Sequence, residues 1–382
     1  METQINTSRR NFLKFTATAL TALSVTNFAS TAIAKEFNNH KIDLRNLPSD
    51  PYKTVKDSKL VQGAWDYLLH EINALENSTL RTKILNIYQE TYPTFMNNYQ
   101  SKDEVAKVYQ ELLDNGLVDP KVTTAKTLFP PIKGVGVEPQ LFMTAPGSGY
   151  KSHHAYPGGL VTHTAVNVQI TKAILRSYQE VMGYKKDWDI AIAAQLLHDL
   201  AKPYVFQWNE DGSCLQEYQI AGTGAHHIFS IAESVTRGIP ANVVVAQACA
   251  HNHPGSEADE IQVVNWIKAA CIIAKRDPIA LGLLEKDGKH IPTPHKQAGY
   301  IVHLGDHDFV LSSPACQNSV VVLKNVAKNK LKFSDADLNG AKFNYLRNYV
   351  GAHYSYMHMH DELSNGNPEE IVYQILKELF NI

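Results

Sequence analysis

The sequence predicts an all-helical protein, and three observations support this fold class. Apolar residues recur at three- and four-residue steps through most of the chain, which is the pattern of amphipathic helices. Strand signals are few: a short one at residues 217–220 and a β-branched run at 319–323 that also suits a helical turn. The 382 residues are 44% hydrophobic and 19% charged, as in ordinary globular proteins, so a packed core is expected.

The first 34 residues are expected to be a targeting segment. Residues 8–14, with the pair Arg9 and Arg10, resemble the twin-arginine export motif, and a weakly apolar stretch then leads to small residues ending at Ala34. We expect cleavage after Ala34, export by the twin-arginine machinery, and a periplasmic or secreted mature chain. An uncleaved anchor is the alternative, but the stretch is poorly apolar, and the mature chain contains no candidate membrane span.

Three regions follow the targeting segment. Residues 35–118 are predicted to form an N-terminal helical region, with helices at 60–75, 80–88 and 104–115. Residues 119–150 are rich in Pro and Gly, which predicts an irregular connection, and we place the domain junction there. The remaining domain, 151–382, is predicted to contain helices at 160–181, 188–200, 225–237, 241–250, 260–275, 335–360 and 368–380.

Two histidine-containing motifs carry the functional signal. Residues 153–164 read HHAYPGGLVTHT and residues 194–202 read AQLLHDLAK. The first resembles the opening signature of the HD-domain metal-dependent phosphohydrolases, and the second resembles their LLHDxxK motif. An isolated HD dipeptide arises by chance, whereas this pair of extended motifs does not. The resemblance covers about residues 152–277 and implies an HD-domain helical bundle that hydrolyses phosphate esters, with an insertion and C-terminal helices completing 151–382.

The residue types in these motifs suit a divalent metal. Consecutive residues such as His198 and Asp199 can bind one cation only where a helix end or kink turns both inward, and His163 from another helix completes a mixed nitrogen and oxygen set for Mn, Fe, Co, Ni or Zn. A metal at Asp199 would lower the pKa of bound water and supply the nucleophile. Lys202, one turn beyond His198, is expected to contact a phosphate oxygen. His154 either contacts the substrate or packs its loop.

The resemblance implies ligands for a second metal ion. The register of residues 225–233 resembles the family's HxxxxAE pattern and selects His227, although His226 competes with it. His251 resembles the histidine at the end of the next helix, with His253 as its competitor. One or two divalent transition-metal ions are therefore expected, and two would share one bridging hydroxide.

The sequence departs from the family at the last ligand. The family supplies an aspartate from a later helix, and Cys271 stands at that position here. Cys271 is therefore a candidate soft ligand. Asp277 reaching back, or no ligand at all, are the alternatives, and we favour Cys271 as a small buried apolar residue.

Other histidines are interpreted without a catalytic role. The stretches 303–308 and 358–361 look like metal sites but lack family counterparts, and they are predicted to be surface caps. His290 and His295 lie among prolines and are predicted to belong to a loop. The four cysteines are widely spaced, so no disulfide framework is indicated.

The predicted function is hydrolysis of a nucleotide or another small phosphomonoester or diester. The formal net charge of -2 and the absence of Lys/Arg runs do not indicate a nucleic-acid partner. Two rival functions stay open: a di-iron HD-fold oxygenase with the same ligand set, and a degenerate HD domain that binds a ligand or partner. The missing aspartate is the main support for the degenerate domain.

The targeting prediction has a direct test. Replacing Arg9→Lys together with Arg10→Lys is expected to block export, because the paired arginines are the recognised feature. Cell fractionation and N-terminal sequencing check it, and a mature chain beginning at Lys35 is the expected product. Unchanged export of the double variant would contradict the prediction.

Overall fold

The computed structural model describes residues 41–150 and 152–382, which are mostly helical, so the predicted all-α class is confirmed. The predicted targeting segment lies outside the described residues. The helices are α1 (Pro51–Val55), α2 (Lys59–Ala74), α3 (Ser78–Gln89), α4 (Lys102–Asp114), α5 (Gly159–Met182), α6 (Trp188–Leu197), α7 (Lys202–Val205), α8 (Ala225–Thr236), α9 (Ala241–Ala248), α10 (Glu257–Ala274), α11 (Thr293–Gly305), α12 (Phe309–Asn329), α13 (Asp335–Leu338), α14 (Ala341–Tyr354), α15 (Tyr356–Leu363) and α16 (Pro368–Leu379). An antiparallel pair, β1 (Gln219–Ile220) and β2 (Thr223–Gly224), is the sheet of the described residues.

Most predicted helices are present with ends shifted by a few residues. The longest of them, α5, has 24 residues and begins after Gly158, whose φ of 82° places it in the left-handed region. It ends at Gly183, where φ is 66° and the backbone N–H caps the carbonyls of Gln179 and Tyr178. Among the described residues, no helix combines the length and apolar character needed to cross a membrane.

Two predictions differ from the structure, and the structure decides a third, which had left strand and helical turn open for residues 319–323. Residues 293–305 form α11, so His295 is helical rather than part of a loop, because the prolines lie at the helix start, where they are tolerated. The run 319–323 is helical within α12. The predicted helix at 335–360 is broken into α13, α14 and α15, and Ser355 adopts a φ of 67° between the last two.

The described residues belong to one compact unit. Helix α5 packs against α2 from the N-terminal region and against α6 and α11, so helices on both sides of the connection 119–150 share a core. The connection itself is irregular, as predicted, apart from a short 3-10 turn at Phe142–Thr144. Phe142 stacks on Tyr88 with ring centroids 4.0 Å apart, and the Tyr88 hydroxyl donates to the carbonyl of Leu196 at the end of α6.

Close approach fixes the position of α11. A Cβ added at Gly305 would lie 1.9 Å from Oγ1 of Thr171 on α5, and one at Gly299 would lie 2.6 Å from Sγ of Cys249 after α9. Glycine at these two positions therefore lets α11 lie against its neighbours. Asp306, the residue after Gly305, is held at the same junction.

Substituting Gly305→Ala tests this packing. We expect the free energy of unfolding to fall by about 1–3 kcal/mol, because the added methyl overpacks the contact between α5 and α11. Chemical denaturation followed by circular dichroism measures the change. Gly366→Ala is the control, since its Cβ would meet only Ile371, at 3.5 Å. Equal stability of the two variants would contradict the close packing.

Candidate metal centre

His198 and Asp199 turn inward because α6 ends just before them. The last residue of α6 is Leu197, and His198 is its C-cap, which is the helix end that the sequence reasoning required. The Nε2 atoms of His198 and of His163, from α5, both lie 3.1 Å from Oδ2 of Asp199. The two Nε2 atoms are 3.3 Å apart. The structure thus brings together the three residues of the two motifs.

Asp306 completes this group. Its Oδ1 lies 3.3 Å from Nε2 of both His163 and His198, and Asn167, one turn beyond His163, donates to the same oxygen at 2.6 Å. Asp306 is the C-cap of α11 and only 5% exposed, so the prediction that 303–308 is a surface cap is wrong. The carboxylate that sequence reasoning sought on α10 comes from the end of α11.

We call the group formed by His163, His198, Asp199 and Asp306 the cluster. The structure does not place Cys271 in it. Its side chain is buried in α10, where burial raises the pKa of the thiol to about 12. It belongs to none of the groups of side chains among the described residues that could hold a metal ion. Asp277 accepts hydrogen bonds from the backbone of Ile279 and Ala280 in a turn. Both residues are thus accounted for by packing or local capping.

A second group of imidazoles faces the same aspartates. His226 Nε2 lies 3.4 Å from Oδ1 of Asp199, and His251 Nε2 lies 3.5 Å from that oxygen and 3.3 Å from Oδ2 of Asp306. Nδ1 of His227 is paired with Oγ1 of Thr223 at 2.5 Å, and the His227 ring stacks on that of His251. The structure therefore directs His226, rather than the predicted His227, toward Asp199, although His227 stays within ligand distance of His226 and His251.

Three of these imidazoles are held in orientation by a partner at Nδ1. His163 pairs with Asp308 at 3.0 Å, and His198 with the backbone carbonyl of Gln195 at 2.6 Å. His226 Nδ1 lies 2.5 Å from Oε1 of Glu217, which stands just before β1. Such partners fix the ring orientation and leave Nε2 directed at a cation, as in many protein metal sites. Glu217 had no functional role in the sequence-based prediction, and Asp308 was part of the stretch predicted to be a surface cap.

His154 is buried and pairs with Asp308, the residue that also pairs with His163. It is 6% exposed, and its two nitrogens pair with the Tyr156 hydroxyl at 2.9 Å and with Oδ2 of Asp308 at 2.8 Å. Its φ of 48° is unusual for a residue with a side chain. Gly159 packs so closely that a Cβ there would lie 1.8 Å from the His154 carbonyl oxygen, which explains the glycine in the HHAYPGGL motif. Of the two alternatives for His154, the structure supports loop packing.

Lys202 is buried and bound internally. Its side chain is 3% exposed, and its ammonium contacts Oδ2 of Asp199 and the carbonyl of Gly147. The predicted contact with a phosphate oxygen is therefore not what this geometry provides. Lys202 instead balances part of the negative charge of the cluster.

Arg347 on α14 holds the loop before α5. It donates to the carbonyls of Tyr150 at 2.6 Å and Ala155 at 3.1 Å, on both sides of His153 and His154, and its guanidinium lies 4.4 Å from the centre of the Tyr150 ring. Nothing in the motifs indicated this contact, because Arg347 is far away in sequence.

With its imidazoles neutral, the cluster carries more negative than positive charge. Asp199, Asp306 and Asp308 are at most 9% exposed, and Lys202 is the one buried ammonium that contacts them in the described residues. Neither Asp199 oxygen has a hydrogen bond of good geometry, although both lie at ion-pair distance from ring nitrogens. Burying such charges without a counter-charge costs several kcal/mol per ion, so the donor set fits a divalent cation.

The imidazoles respond to this charge in two ways. Burial alone would lower the pKa of His163 and His198, but the neighbouring carboxylates outweigh it, raising the pKa of His163 well above its usual value and that of His198 to about 9. For His227 and His251 burial prevails, and their pKa values fall. Without a cation, His163 and His198 therefore favour the protonated form, in which they supply positive charge beside the carboxylates.

A part of this chain is similar in sequence to a protein of assigned function. A curated protein of Methanocaldococcus jannaschii, "Dihydroneopterin 2',3'-cyclic phosphate phosphodiesterase", is 32% identical over 111 residues. The match covers 29% of this chain and 44% of the relative, so it spans less than half of either protein. No family model and no solved structure match the chain. A phosphodiesterase relative is compatible with the resemblance to HD-domain phosphohydrolases.

Metal affinity is expected to rise with pH. Below the raised pKa values, a cation must displace protons from His163 and His198, because only an unprotonated nitrogen binds a metal. Affinity for Mn²⁺ should increase from about pH 6 to the His198 pKa of about 9. Isothermal titration calorimetry in buffers of different ionisation enthalpy measures affinity and proton release. Binding at pH 7 without proton release would contradict the expectation.

Proposed function

We propose that this chain is a metal-dependent hydrolase of phosphate esters. The observation that carries the proposal is the convergence of four Nε2 atoms, from His163, His198, His226 and His251, on the carboxylates of Asp199 and Asp306. Opposite oxygens of Asp199 face the two histidine pairs, so the donors could hold one or two cations. The phosphodiesterase relative supports the same class of reaction.

Divalent cations bound here would lower the pKa of water and neutralise phosphate charge. The protein residues supply the arrangement around that chemistry. Asp308 and Glu217 keep the rings of His163 and His226 in place, and Lys202 anchors Asp199 to the loop carbonyl of Gly147. In the reaction, water adds to phosphorus, the bond to the leaving oxygen breaks, and that oxygen takes up a proton.

A phosphodiester is the substrate class to test before others. The relative's name assigns it a 2',3'-cyclic phosphate diester, and we extend that class to this chain as a proposal. Small phosphomonoesters follow as the next class. The predicted twin-arginine segment would place the activity in the periplasm or outside the cell.

Of the two rival functions, the degenerate HD domain loses its main support, and the di-iron oxygenase stays open. The degenerate-domain hypothesis relied on the missing aspartate, and Asp306 supplies a carboxylate at the cluster, so that argument falls away. A di-iron oxygenase would use the same donors. Metal content and oxygen uptake of anaerobically purified protein separate it from a hydrolase, because two irons per chain with oxygen consumption belong only to the oxygenase.

Substituting Asp306→Asn tests the site. We expect it to lose bound metal and to lower kcat/KM for bis(p-nitrophenyl) phosphate by roughly 100-fold or more, because it removes a carboxylate that would bind the metal. Asp277→Asn is the matched control with the same chemical change at an exposed turn, and Cys271→Ala tests the alternative ligand. Both should keep the metal and activity within about 3-fold of wild type.

Two outcomes would overturn the proposal. One is wild-type protein that hydrolyses neither phosphodiesters nor phosphomonoesters with Mn, Fe, Co, Ni or Zn. The other is loss of one metal equivalent in Cys271→Ala while Asp306→Asn retains all of its metal, measured by plasma mass spectrometry. Circular dichroism of each variant shows whether the fold is kept.

A further inference from the structure

Three large apolar side chains are exposed directly after Asp306 and Asp308 in the sequence. Phe309, Val310 and Leu311 form the first turn of α12 and are 43%, 65% and 54% exposed. The residue before them, Asp308, is buried against His163 and His154. The first turn of α12 thus runs from the buried cluster to the surface within a few residues.

Phe309 is part of a row of rings that leads to the cluster. Its ring centroid lies 5.5 Å from that of His307 and 6.3 Å from that of His153, with interplanar angles of 35° and 42°. His153 in turn lies 5.2 Å from the ring of His163. One imidazole therefore separates the exposed Phe309 ring from a histidine of the metal centre.

We propose that Phe309, flanked by His153 and His307, is a stacking platform for a planar heteroaromatic group of the substrate. This inference rests on the proposed function and narrows its substrate class to nucleotide-like phosphate esters. In such molecules one ribose separates the base from the phosphate. One imidazole ring, that of His153, likewise separates Phe309 from His163. Stacking on an aromatic side chain is tolerant of which base is bound, so the platform selects a class rather than one base.

An alkyl chain is the competing occupant of an apolar surface. It would engage Val310 and Leu311 as well as Phe309, because burial of apolar area does not depend on a flat ring. The row of imidazoles beside Phe309 favours the planar group, since tilted and offset rings are the geometry in which aromatic groups attract each other. The two occupants therefore predict different sensitive residues.

The test compares ligands that differ only in the ring. Isothermal titration calorimetry of metal-loaded protein measures binding of adenosine 5'-monophosphate, ribose 5-phosphate and hexyl phosphate. Hydrolysis assays compare adenosine 2',3'-cyclic phosphate with ribose 2',3'-cyclic phosphate. The variants are Phe309→Leu, which keeps an apolar side chain without a ring, Phe309→Trp, which keeps a ring, and the control Leu311→Ala, also exposed and apolar.

We expect the base to improve binding and kcat/KM about 10-fold or more in wild type. Phe309→Leu should remove most of this preference, Phe309→Trp should retain it, and Leu311→Ala should have no effect. The inference fails if adenosine and ribose compounds behave alike in wild type, or if hexyl phosphate binds as tightly as adenosine 5'-monophosphate and depends on Leu311. Preferential binding of adenosine 5'-monophosphate without turnover of any phosphate ester would sustain the platform and refute hydrolysis.

Discussion

A buried concentration of negative charge is the constraint on which the arrangement of this protein depends. Asp199, Asp306 and Asp308 each contact His163, in a region largely shielded from solvent. Carboxylates in such surroundings are stable only when positive charge accompanies them. Lys202 and protonated imidazoles supply this positive charge, and in our proposal divalent cations do so as well. Helices α5, α6 and α11 must therefore meet at one point.

Helix ends supply most of the donors at this point. Asp199 follows α6, Asp306 closes α11, Asp308 stands before α12, His226 opens α8, and His251 follows α9. A residue at a helix end can direct its side chain toward the axis of a neighbouring helix, while the helix behind it keeps the backbone rigid. Rigid support of this kind keeps the donors in a fixed geometry, which a metal site requires.

Parts of the chain outside the two motifs stabilise the site. Arg347, on α14, binds the loop that carries His153 and His154, and Tyr88, on α3, binds the carbonyl at the end of α6. The N-terminal and C-terminal helices are thus part of the support for the centre. Their substitution is expected to alter the position of the donors through the backbone they hold, without removing a donor.

The sequence by itself determined the all-helical fold, most helix positions, and the grouping of His163 with His198 and Asp199. Apolar periodicity is a local signal and defines the helices. The grouping of the three donors was the expectation that the resemblance of the two motifs carried. The class of reaction stays a proposal, although the phosphodiesterase relative supports it.

Only the tertiary structure decided which of several similar residues reach the centre. Asp306 was found in place of Cys271 because α11 approaches α5 through Gly305, a contact between residues more than 100 positions apart that no local pattern encodes. His226 faces Asp199 and His227 faces Thr223, because neighbouring residues on a helix point in directions about 100° apart and the start of α8 sets which one turns inward.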